Sequence, residues 1–585
     1  MSLHNYLKGN ILLFDGAMGT YLVGKDRHLG SNCEKANLEA PELVSGIHKE
    51  YLAAGCNAIK TNTFGANRLA LGEETCKKVI EAGWRIAREA AGNAFVFADI
   101  GPIGVDGPVD LIAEYQFVAD IFLRLGAKNF LFETHSRDTA LHETAAYIKE
   151  KCPDSFIILS FAALPDGFTR DGLRVGNLIS KIEQDPNIDG AGLNCVTSAR
   201  HMTDLVKSLL PVEKFLSIMP NAGYPTVLEN RTVYDGSPSY FAQQMAHLGA
   251  LGVKILGGCC GTTPEHLAAT AKAMKEGAFK TLPLPEKKPK KAEKKAENPF
   301  WEALCDKNQK PFAVELDPPE GADVEKFING ARELRDNGAA IVTIAECPIA
   351  RARMDSSLLA CKLRRELGVQ ALPHMTCRDR NLNAVKALLL GLCAEDVHNV
   401  LVVTGDPIPT ASRDEVKSVY NFNSRMLAHY ITGLGESALP TPFHVFGALN
   451  LNARNFHVQL ELAKQKEENG VCGFLTQPVL TAQALENLKT ARKTLSGKLL
   501  GGIMPVVSHR NAMFMNSEVA GITVDDRIVS LYEGLDREQG EALAVKISAA
   551  VAKEMEPYID GYYLITPFGR TGLMARIMKE IRQQG

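Results

Sequence analysis

The sequence has no long hydrophobic run. It contains 585 residues, of which 45% are hydrophobic and 23% charged, which is ordinary for a globular protein. No stretch reaches the roughly 18 apolar residues that a membrane-spanning helix needs. The first twenty residues, MSLHNYLKGNILLFDGAMGT, also lack the apolar core of a secretory signal peptide. We therefore expect a cytoplasmic protein with no membrane partner.

The sequence also has no large excess of charge of one sign. The formal net charge is −3, so no global field attracts nucleic acid or an anionic surface. The 13 cysteines are scattered and odd in number, which argues against a disulfide framework and for a reducing compartment. The sequence has no G-x-G-x-x-G after an apolar run and no G-x-x-x-x-G-K-[ST], so Rossmann and P-loop nucleotide sites are unsupported.

Short apolar runs recur along the chain and alternate with helical patterns. Such alternation indicates a parallel sheet, and eight units in roughly 270 residues indicate a closed barrel. We therefore predict an α/β protein of two tandem (β/α)8 TIM-type barrels. The runs are 11–15, 57–62, 95–100, 130–134, 156–161, 190–195, 215–221 and 253–258, followed by 312–316, 339–346, 370–377, 399–406, 442–450, 471–477, 501–507 and 561–566.

One segment between the two sets of runs differs in composition. TLPLPEKKPKKAEKKAENPF, residues 281–300, is rich in Pro, Lys and Glu. A basic run can be a localisation signal or a phosphate binder, but a solvated, self-repelling linker is favoured. We predict a first domain over 1–278, a linker over 279–298 and a second domain over 299–585.

Catalytic groups of such barrels lie at the carboxyl ends of the strands. Polar residues at the ends of the predicted strands are therefore candidates. In the first half they are Asp15, Asn62, Asp99, Glu133, Asn194, Cys195, Asn221, Cys259 and Cys260, and in the second Glu315, Glu346, His374, Asp406, Asn450, Gln477 and Thr566.

Three cysteines are predicted to meet at one rim. Cys195 ends the sixth run, and the adjacent pair Cys259–Cys260 ends the eighth. Three thiolates suit a zinc ion with an open fourth position. A disulfide between neighbours is strained, and a redox couple is more often Cys-x-x-Cys. Buried packing residues remain an alternative.

The residues around the cysteine pair favour a built site. Gly257, Gly258 and Gly261 allow a close backbone approach. Thr263 and Pro264 are predicted as N-cap and first residue of a helix, which Gly277 would end.

Six motifs together resemble the homocysteine S-methyltransferase family over residues 5–278. They are DGAMGT (15–20), TNTFGAN (61–67), FETHS (132–136), LNC (193–195), PNAG (220–223) and GGCCGTTPEH (257–266). The resemblance implies that Cys195, Cys259 and Cys260 bind zinc and that homocysteine sulfur takes the open position. It also implies that Asp15, Gly16 and Glu133 contact the amino-acid end of the substrate.

The methyl donor is not set by this resemblance. Cobalamin-dependent relatives carry D-x-H-x-x-G, and the nearest stretch here, DRHLG at 26–30, is one residue short. S-methylmethionine and S-adenosylmethionine, which have good leaving groups, suit a self-sufficient barrel. Methyltetrahydrofolate, or a separate corrinoid protein, remains an alternative as methyl donor.

A second resemblance, to methylenetetrahydrofolate reductase, spans about 298–585. Its motifs are VELDPP (314–319), PHMTC (373–377), VVTGDP (402–407), FLTQP (474–478) and GGIMPVVS (501–508). It implies that Glu315 is the general acid, that Asp406 lies between flavin and folate, and that Gln477 binds the pterin. Further contacts to FAD would come from His374, Thr404, Gly405, Asp406, Phe446, Asn450 and Lys466.

The second half departs from the best-known bacterial members of that family at three positions. Thr404, Asn450 and Ala345 stand where those members have arginine, histidine and threonine. The flavin phosphates and ribose are therefore expected to be held differently. His374 could instead be a core histidine, and Lys466 lies in AKQKEEN, a run typical of a solvated face.

Together the two resemblances imply a bifunctional enzyme that uses zinc, FAD and NAD(P)H as electron donor. The partners implied are homocysteine, a methyl donor and folate. The alternative is a homocysteine methyltransferase whose second barrel is a non-catalytic folate- or flavin-binding regulatory module. NADH versus NADPH, a homo-oligomeric state and channelling between sites are left open.

Overall fold

A computed structural model describes residues 2–26, 33–104, 109–228, 231–234, 236–277, 297–408, 417–437, 439–519 and 521–584. The chain divides into two compact units, Met1–Pro289 and Lys290–Gly585. The predicted linker, 279–298, lies outside the described residues except for its last two positions.

Ten strands are assigned among the described residues of the first unit, and eight of them form one parallel sheet. The sheet runs in the order β1-β10-β7-β6-β5-β4-β3-β2, and a parallel bridge from Phe14 to Ala58 joins its two ends. The strands are β1 (Leu12–Leu13), β2 (Ala58–Lys60), β3 (Phe95–Ile100), β4 (Asn129–His135), β5 (Phe156–Phe161), β6 (Gly190–Ser198), β7 (Phe215–Asn221), β8 (Pro225–Leu228), β9 (Arg231–Tyr234) and β10 (Ile255–Leu256).

Helices connect these strands, as the alternating pattern predicts. They are α1 (Leu3–Gly9), α2 (Gly19–Lys25), α3 (Ala36–Glu39), α4 (Pro41–Ala53), α5 (Arg68–Leu71), α6 (Glu73–Ala91), α7 (Leu111–Arg124), α8 (Leu141–Lys151), α9 (Val175–Gln184), α10 (Ala199–Leu209), α11 (Pro238–Ala250) and α12 (Pro264–Lys275).

Helix α1 covers the amino ends of the strands. Leu3 and Leu7 pack in one cluster with Phe14, Phe97 and other side chains of the barrel interior. His4 contacts the rings of Phe156 and Phe215, the first residues of β5 and β7. The barrel is therefore filled and closed at its amino end, which leaves the carboxyl ends for polar groups.

The second unit is a closed barrel of eight parallel strands, paired in chain order from β11 to β18. The strands are β11 (Phe312–Glu315), β12 (Ile341–Ile344), β13 (Ala371–Thr376), β14 (Asn399–Val403), β15 (His444–Leu449), β16 (Val471–Pro478), β17 (Lys498–Ile503) and β18 (Gly561–Ile565).

Eleven helices are assigned among the described residues of this unit. They are α13 (Pro299–Cys305), α14 (Glu325–Asp336), α15 (Ser356–Leu367), α16 (Leu382–Ala394), α17 (Ser424–Ser437), α18 (Phe456–Glu468), α19 (Ala482–Thr494), α20 (His509–Glu518), α21 (Asp526–Ser530), α22 (Arg537–Met555) and α23 (Thr571–Gln584). Helix α13 covers the amino end of this barrel, since Trp301 contacts His444, the first residue of β15.

The prediction of two eight-stranded barrels is confirmed. Strand ends differ by a few residues, most at β17, which was predicted over 501–507 and is found over Lys498–Ile503. The antiparallel β8–β9 hairpin was not predicted. Across the described ranges, no helix is long and apolar enough to cross a membrane.

Candidate active sites in the two barrels

A polar layer lies directly above the apolar interior of the first barrel. Side chains two residues apart in a strand share a face, so the residue two positions beyond each core residue also points inward. The core residues Ala58, Phe97, Leu131, Ile158 and Met219 are thus followed by Lys60, Asp99, Glu133, Ser160 and Asn221.

Buried charges dominate this layer. Lys60 Nζ lies 3.3 Å from Glu133 Oε2, with both side chains 8% exposed, and the Lys60 backbone N–H donates to Asp15 Oδ2 at 3.1 Å. Burial raises the pKa of Asp15 to about 7, although Lys60 opposes the shift. Burial also raises the pKa of Glu133. The structure therefore brings the predicted Asp15 and Glu133 together around a lysine that was not predicted.

The three predicted cysteines meet at the rim above this layer. Cys195 Sγ and Cys260 Sγ are 3.6 Å apart, and the sulfur atoms of Cys195, Cys259 and Cys260 all lie within 4.8 Å of one another. All 13 cysteines are free, so neither the adjacent pair nor any other forms a disulfide. The arrangement fits three ligands of one metal ion.

Asn194 joins the thiols to the polar layer. Its Nδ2 lies 3.9 Å from Cys259 Sγ and donates to Thr134 Oγ1 at 2.6 Å. Its Oδ1 accepts from the Thr134 backbone N–H and from Ser160 Oγ. A side chain held from both ends in this way fixes the position of its strand next to Cys195.

The backbone around the thiols is tightly constrained. Cys195 and Val196 both adopt φ of 59°, a conformation that costs non-glycine residues energy and often marks functional sites. A Cβ on Gly258 would lie 2.3 Å from Thr262 Oγ1, and one on Gly261, at φ of +78°, would lie 2.2 Å from Tyr234 Cβ. These glycines let the chain turn closely enough to present two adjacent thiols.

Helix α12 anchors the turn, as predicted. Thr263 is its N-cap, Pro264 is its first residue, and His266 completes a capping box with Thr263. Gly277 follows the helix at φ of +75°. The hydroxyl of Thr262 stabilises the turn that carries Cys259 and Cys260, because it donates to the Cys259 carbonyl at 2.7 Å and accepts from the Ala17 N–H.

Gly16 has a steric role at the predicted substrate end. A Cβ at this position would lie 2.5 Å from Thr262 Oγ1 and 2.9 Å from the Tyr51 hydroxyl. Only glycine therefore lets the segment after β1 pack against the turn that carries the thiols.

Glu315 ends β11 of the second barrel, as predicted. It accepts a short hydrogen bond from the Tyr563 hydroxyl, and His374 Nε2 lies 3.8 Å from its Oε2. Burial and, to a smaller extent, the charge of Asp317 raise the pKa of Glu315 to about 7, although the hydrogen bond from Tyr563 opposes the shift. Asp406, the other carboxylate predicted for this site, is exposed after β14.

His374 is buried beside Glu315 and stays neutral. It is 8% exposed, and burial lowers its pKa to about 3. Its Nε2 has no hydrogen-bond partner among the described residues. It therefore does not neutralise Glu315, and its ring nitrogen is available to a ligand.

The loop after β14 carries three of the predicted residues. Gly405 adopts φ of +94°, and a Cβ there would lie 3.2 Å from Arg378 Cβ. Arg378, which is 2% exposed, donates to the Asp406 carbonyl at 3.0 Å and pairs with Asp379. Thr404 and Asp406 are exposed at this loop.

Lys466 reaches inward from α18 and does not lie on a solvated face. It is half-buried, and its Nζ donates to the Ala448 carbonyl at 3.0 Å near the end of β15. Burial and the charge of Arg425 lower its pKa to about 8. No ion pair joins Lys466 to a carboxylate in the part of the chain that the structure describes, so it is a half-buried cation without a counter-ion.

The remaining predicted residues differ in their setting. Gln477 and Asn450 are half-buried near strand ends, and Asn450 Oδ1 accepts from the Asn452 N–H. Phe446 is fully buried and packs against Phe300. This packing favours a core role for Phe446, and its contact with a flavin stays a prediction.

Two arginines near this site were not predicted. Arg378 and Arg380 follow β13, and Arg380 pairs with Glu346 and Asp355. Two arginines in CRDRN directly after a predicted strand could have drawn attention to this edge. Arg378 pairs with the adjacent Asp379. The other partners lie far away in the sequence, so sequence alone does not show those contacts: they are the Asp406 carbonyl, Glu346 and Asp355.

The comparisons with known proteins divide the chain at the same place. Residues 12–274 match the family model described as homocysteine S-methyltransferase, and residues 301–580 match that described as methylenetetrahydrofolate reductase. Two curated proteins named methionine synthase, from Mycobacterium tuberculosis and Mycobacterium leprae, are each 28% identical, over 46% and 48% of this chain.

The chain spans about a quarter of the length of those curated relatives, 25% and 26%. A crystal structure of the homocysteine methyltransferase MmuM from Escherichia coli, in its metallated form, is 24% identical, with a TM-score of 0.39. The match covers 46% of this chain and 98% of that one.

Proposed function

Because the chain joins a homocysteine S-methyltransferase domain to a methylenetetrahydrofolate reductase domain, we propose that it is a bifunctional enzyme of one-carbon metabolism. The first barrel methylates homocysteine to methionine. The second reduces 5,10-methylenetetrahydrofolate to 5-methyltetrahydrofolate with a bound FAD. The observation that carries the first half is the convergence of three thiols at one barrel rim.

The thiol cluster fits a zinc ion. Tetrahedral zinc with Zn–S bonds of about 2.3 Å holds its sulfur atoms roughly 3.8 Å apart, close to the 3.6 Å between Cys195 and Cys260. Three protein sulfurs leave one position for the sulfur of a substrate. When bound, zinc would lower the pKa of that thiol, which otherwise lies near 8.5 and leaves little nucleophile at neutral pH.

The protein supplies positioning around this centre. Asn194 lies against Cys259 and connects it to Thr134 and Ser160, so the thiol is held in place before substrate arrives. Asp15 and Glu133 lie deeper in the barrel and suit the ammonium group of an amino acid. Holding both ends of the acceptor turns the transfer into a reaction between pre-oriented groups.

A methyl-donor screen tests this half. The zinc-loaded protein would be offered homocysteine with S-methylmethionine, S-adenosylmethionine or 5-methyltetrahydrofolate, and methionine would be measured. Methionine from one donor supports the proposal. No methionine from any of them, with or without an added methyl-corrinoid protein, would overturn it.

The second barrel fits an anionic cofactor at its carboxyl rim. Lys466 is a half-buried cation without a carboxylate partner in the described residues, and burial lowers its pKa to about 8. An anionic group such as a flavin phosphate would restore its charged form. His374 Nε2 and the Gly405 turn add an unpartnered buried nitrogen and a close backbone approach.

Glu315 supplies the proton that folate reduction needs. Opening the five-membered ring of methylenetetrahydrofolate requires protonation of a nitrogen, because an amine anion is a poor leaving group. A carboxyl with pKa of about 7 is half protonated at neutral pH and can act as this acid. FAD would carry the hydride and NAD(P)H would restore it.

Separate half-reactions test this barrel. The flavin would be reduced anaerobically with NADH or NADPH and then mixed with methylenetetrahydrofolate. Reoxidation of the flavin by the folate supports catalysis. A flavin that stays reduced in the presence of bound folate would favour a regulatory barrel instead.

A further inference from the structure

The β8–β9 hairpin is anchored to the turn that carries Cys259 and Cys260. Before the hairpin, the Ala222 N–H donates to the Cys260 carbonyl at 3.0 Å. After the hairpin, the Gly236 carbonyl accepts from His266 Nε2 at 2.9 Å. A Cβ on Gly236 would lie 2.2 Å from the Ala222 carbonyl oxygen, so the two ends of the hairpin also pack against each other. The hairpin is therefore held at its base beside two of the three thiols.

Tyr234, the last residue of β9, lies on this turn. It pairs with Pro225 of β8. A Cβ on Gly261 would lie 2.2 Å from the Tyr234 Cβ and 2.3 Å from its Cγ, so a side chain at position 261 would displace the tyrosine ring. The Tyr234 hydroxyl donates a hydrogen bond to Cys260 Sγ. The hairpin thus brings one hydroxyl donor to one of the three sulfurs.

The three sulfurs differ in what surrounds them. Cys259 is buried, whereas Cys195 and Cys260 are half-buried. Asn194 Nδ2 lies 3.9 Å from Cys259 Sγ. Tyr234 donates to Cys260 and not to Cys195. Cys195 and Cys260 are therefore similar in exposure but differ in the hydroxyl donor.

A methyltransferase site with three cysteine ligands holds several nucleophiles at once. Each cysteine bound to zinc is a thiolate, and all three lie beside the position of the substrate sulfur. If a cysteine took the methyl group, a lone pair of its sulfur would form the new S–CH3 bond, and the donor atom would keep the electrons of the broken bond. The thiolate ligand would become a neutral thioether, a much weaker ligand. A half-buried cysteine sulfur in this site therefore has to be less reactive than the substrate.

We propose that the Tyr234 hydroxyl protects Cys260 from the methyl donor, so that the substrate sulfur is methylated and the cysteine is not. A hydrogen bond to a thiolate stabilises its charge, and the nucleophilicity of a thiolate falls as its basicity falls. Tyr234 contacts a metal ligand and acts through it, so it is a positioning residue. The inference rests on the proposed methyl transfer and adds the residue that directs it to one sulfur among four.

Methyl iodide tests the proposal without the natural methyl donor. Zinc-loaded wild-type protein and Tyr234→Phe would be treated with methyl iodide in the absence of homocysteine, and methylation of Cys195, Cys259 and Cys260 would be quantified by peptide mass spectrometry. Phenylalanine keeps the ring and removes the hydroxyl. A hydrogen bond to a charged group changes an equilibrium by about 10- to 150-fold. Because sulfur loses only part of its charge in the transition state, methylation of Cys260 should accelerate by about 3- to 10-fold.

Cys195 is the control within the same site. A general opening of the site, or loss of zinc, would raise the methylation of Cys195 and Cys260 together, whereas loss of the hydroxyl should raise that of Cys260 alone. Tyr224→Phe is the matched control variant, because Tyr224 precedes the same hairpin and its hydroxyl bonds to His201 Nδ1 at 2.9 Å. It should leave all three methylation rates unchanged. Zinc content and melting temperature should equal the wild-type values in both variants.

Three results would overturn the proposal. The first is equal methylation of Cys260 in wild type and Tyr234→Phe, which includes no methylation in either, because the hydroxyl would then have no reaction to prevent. The second is an equal increase at Cys195 and Cys260. The third is loss of zinc or of folding in Tyr234→Phe, which would show that the hydroxyl has a structural role.

The same preparations separate this inference from the proposed function. If the wild-type protein binds no zinc, or forms no methionine with any donor, the proposed methyl transfer is wrong. If it does both and Tyr234→Phe shows no selective methylation of Cys260, only the role of Tyr234 is wrong.

Discussion

The two barrels each bury a carboxyl whose pKa is raised to about 7, but they do so in opposite surroundings. Asp15 lies beside Lys60 and Glu133, and its Oδ1 has no hydrogen-bond partner among the described residues. Glu315 lies beside the neutral groups Tyr563 and His374, and its nearest charge is the like charge of Asp317. The same pKa therefore arises in two different electrostatic surroundings.

The difference shows how surroundings decide what a buried acid does. A cation that entered the first barrel would stabilise the ionised form of Asp15, which suits the binding role proposed for this acid. No cation among the described residues faces Glu315, so its proton remains available for transfer. Burial raises the pKa in both barrels, and the neighbouring charges distinguish the proposed binding group from the proposed acid.

Replacing one of the three thiols should have the largest effect. The described residues of the second barrel hold no comparable cluster. Cys195→Ala, Cys259→Ala or Cys260→Ala should abolish methionine formation and lower bound zinc, because two sulfurs cannot complete the site. Flavin reduction should not change. Cys76→Ala, which removes a buried thiol from α6, is the control. Near-wild-type transfer by any one variant would contradict a three-sulfur site.

Glu315→Gln should have the next largest effect, and it tests whether Glu315 acts as an acid. The amide keeps the shape but cannot supply the proton, so reoxidation of flavin by methylenetetrahydrofolate should slow by about 10²- to 10⁴-fold. Reduction of the flavin should be unaffected in stopped-flow measurements. Glu325→Gln, at an exposed position of α14, is the control. An unimpaired folate half-reaction would remove Glu315 from the mechanism.

The pH dependence of the same half-reaction should follow the pKa of Glu315. Because that pKa is raised to about 7, the acid form dominates below pH 7 and is lost above it. The rate should therefore be level at low pH and fall about tenfold per unit above 7. Asp317→Asn removes a repelling charge, lowers the pKa of Glu315 and should move the fall to lower pH. A profile that rises through pH 7 would contradict this assignment.

Lys466→Met should weaken flavin binding by a smaller factor. Loss of one hydrogen bond to a charged group costs about 1.5–3 kcal/mol, or about 10- to 150-fold in Kd. Lys464→Met is the matched control on the same helix, because Lys464 already pairs with Glu461 at the surface. Equal flavin affinity in the two variants would show that Lys466 does not contact the cofactor.

The smallest effect is expected from separating the barrels. Residues 1–289 and 290–585 expressed as two chains should each keep their activity, because each unit has its own barrel and its own core clusters. Methionine formation and flavin reduction would be measured on each piece. Loss of both activities would contradict independent folding.

The fold was largely predictable because its signal is repeated sixteen times. Continuous apolar runs mark strands buried on both faces, and residues such as Asp99, Glu133 and Glu315 follow core positions with the period of a strand. The β8–β9 hairpin was missed because its short segment carries no comparable apolar run. The cysteine site was predictable because two of its ligands are adjacent and flanked by glycines.

The electrostatics of the sites could not be read from the chain. Lys60 lies in a strand run where a lysine is rarely buried, and its partner Glu133 is 73 residues away. Arg378 is buried by contacts with the Asp406 carbonyl, 28 residues further on. The like charge acting on Glu315 comes from Asp317, two residues further along the chain, and only the folded structure shows that this carboxylate lies close enough to act.

Helices α1 and α13 close the amino ends of the two barrels, so each barrel is open only at the carboxyl ends of its strands. If the ammonium group of the acceptor occupies the layer beneath the thiols, the acceptor must enter before the methyl donor covers it. The spent donor then lies above the methylated product and has to leave first. A barrel that is closed at its amino end thus imposes a compulsory order of substrate binding and product release, without a conformational change.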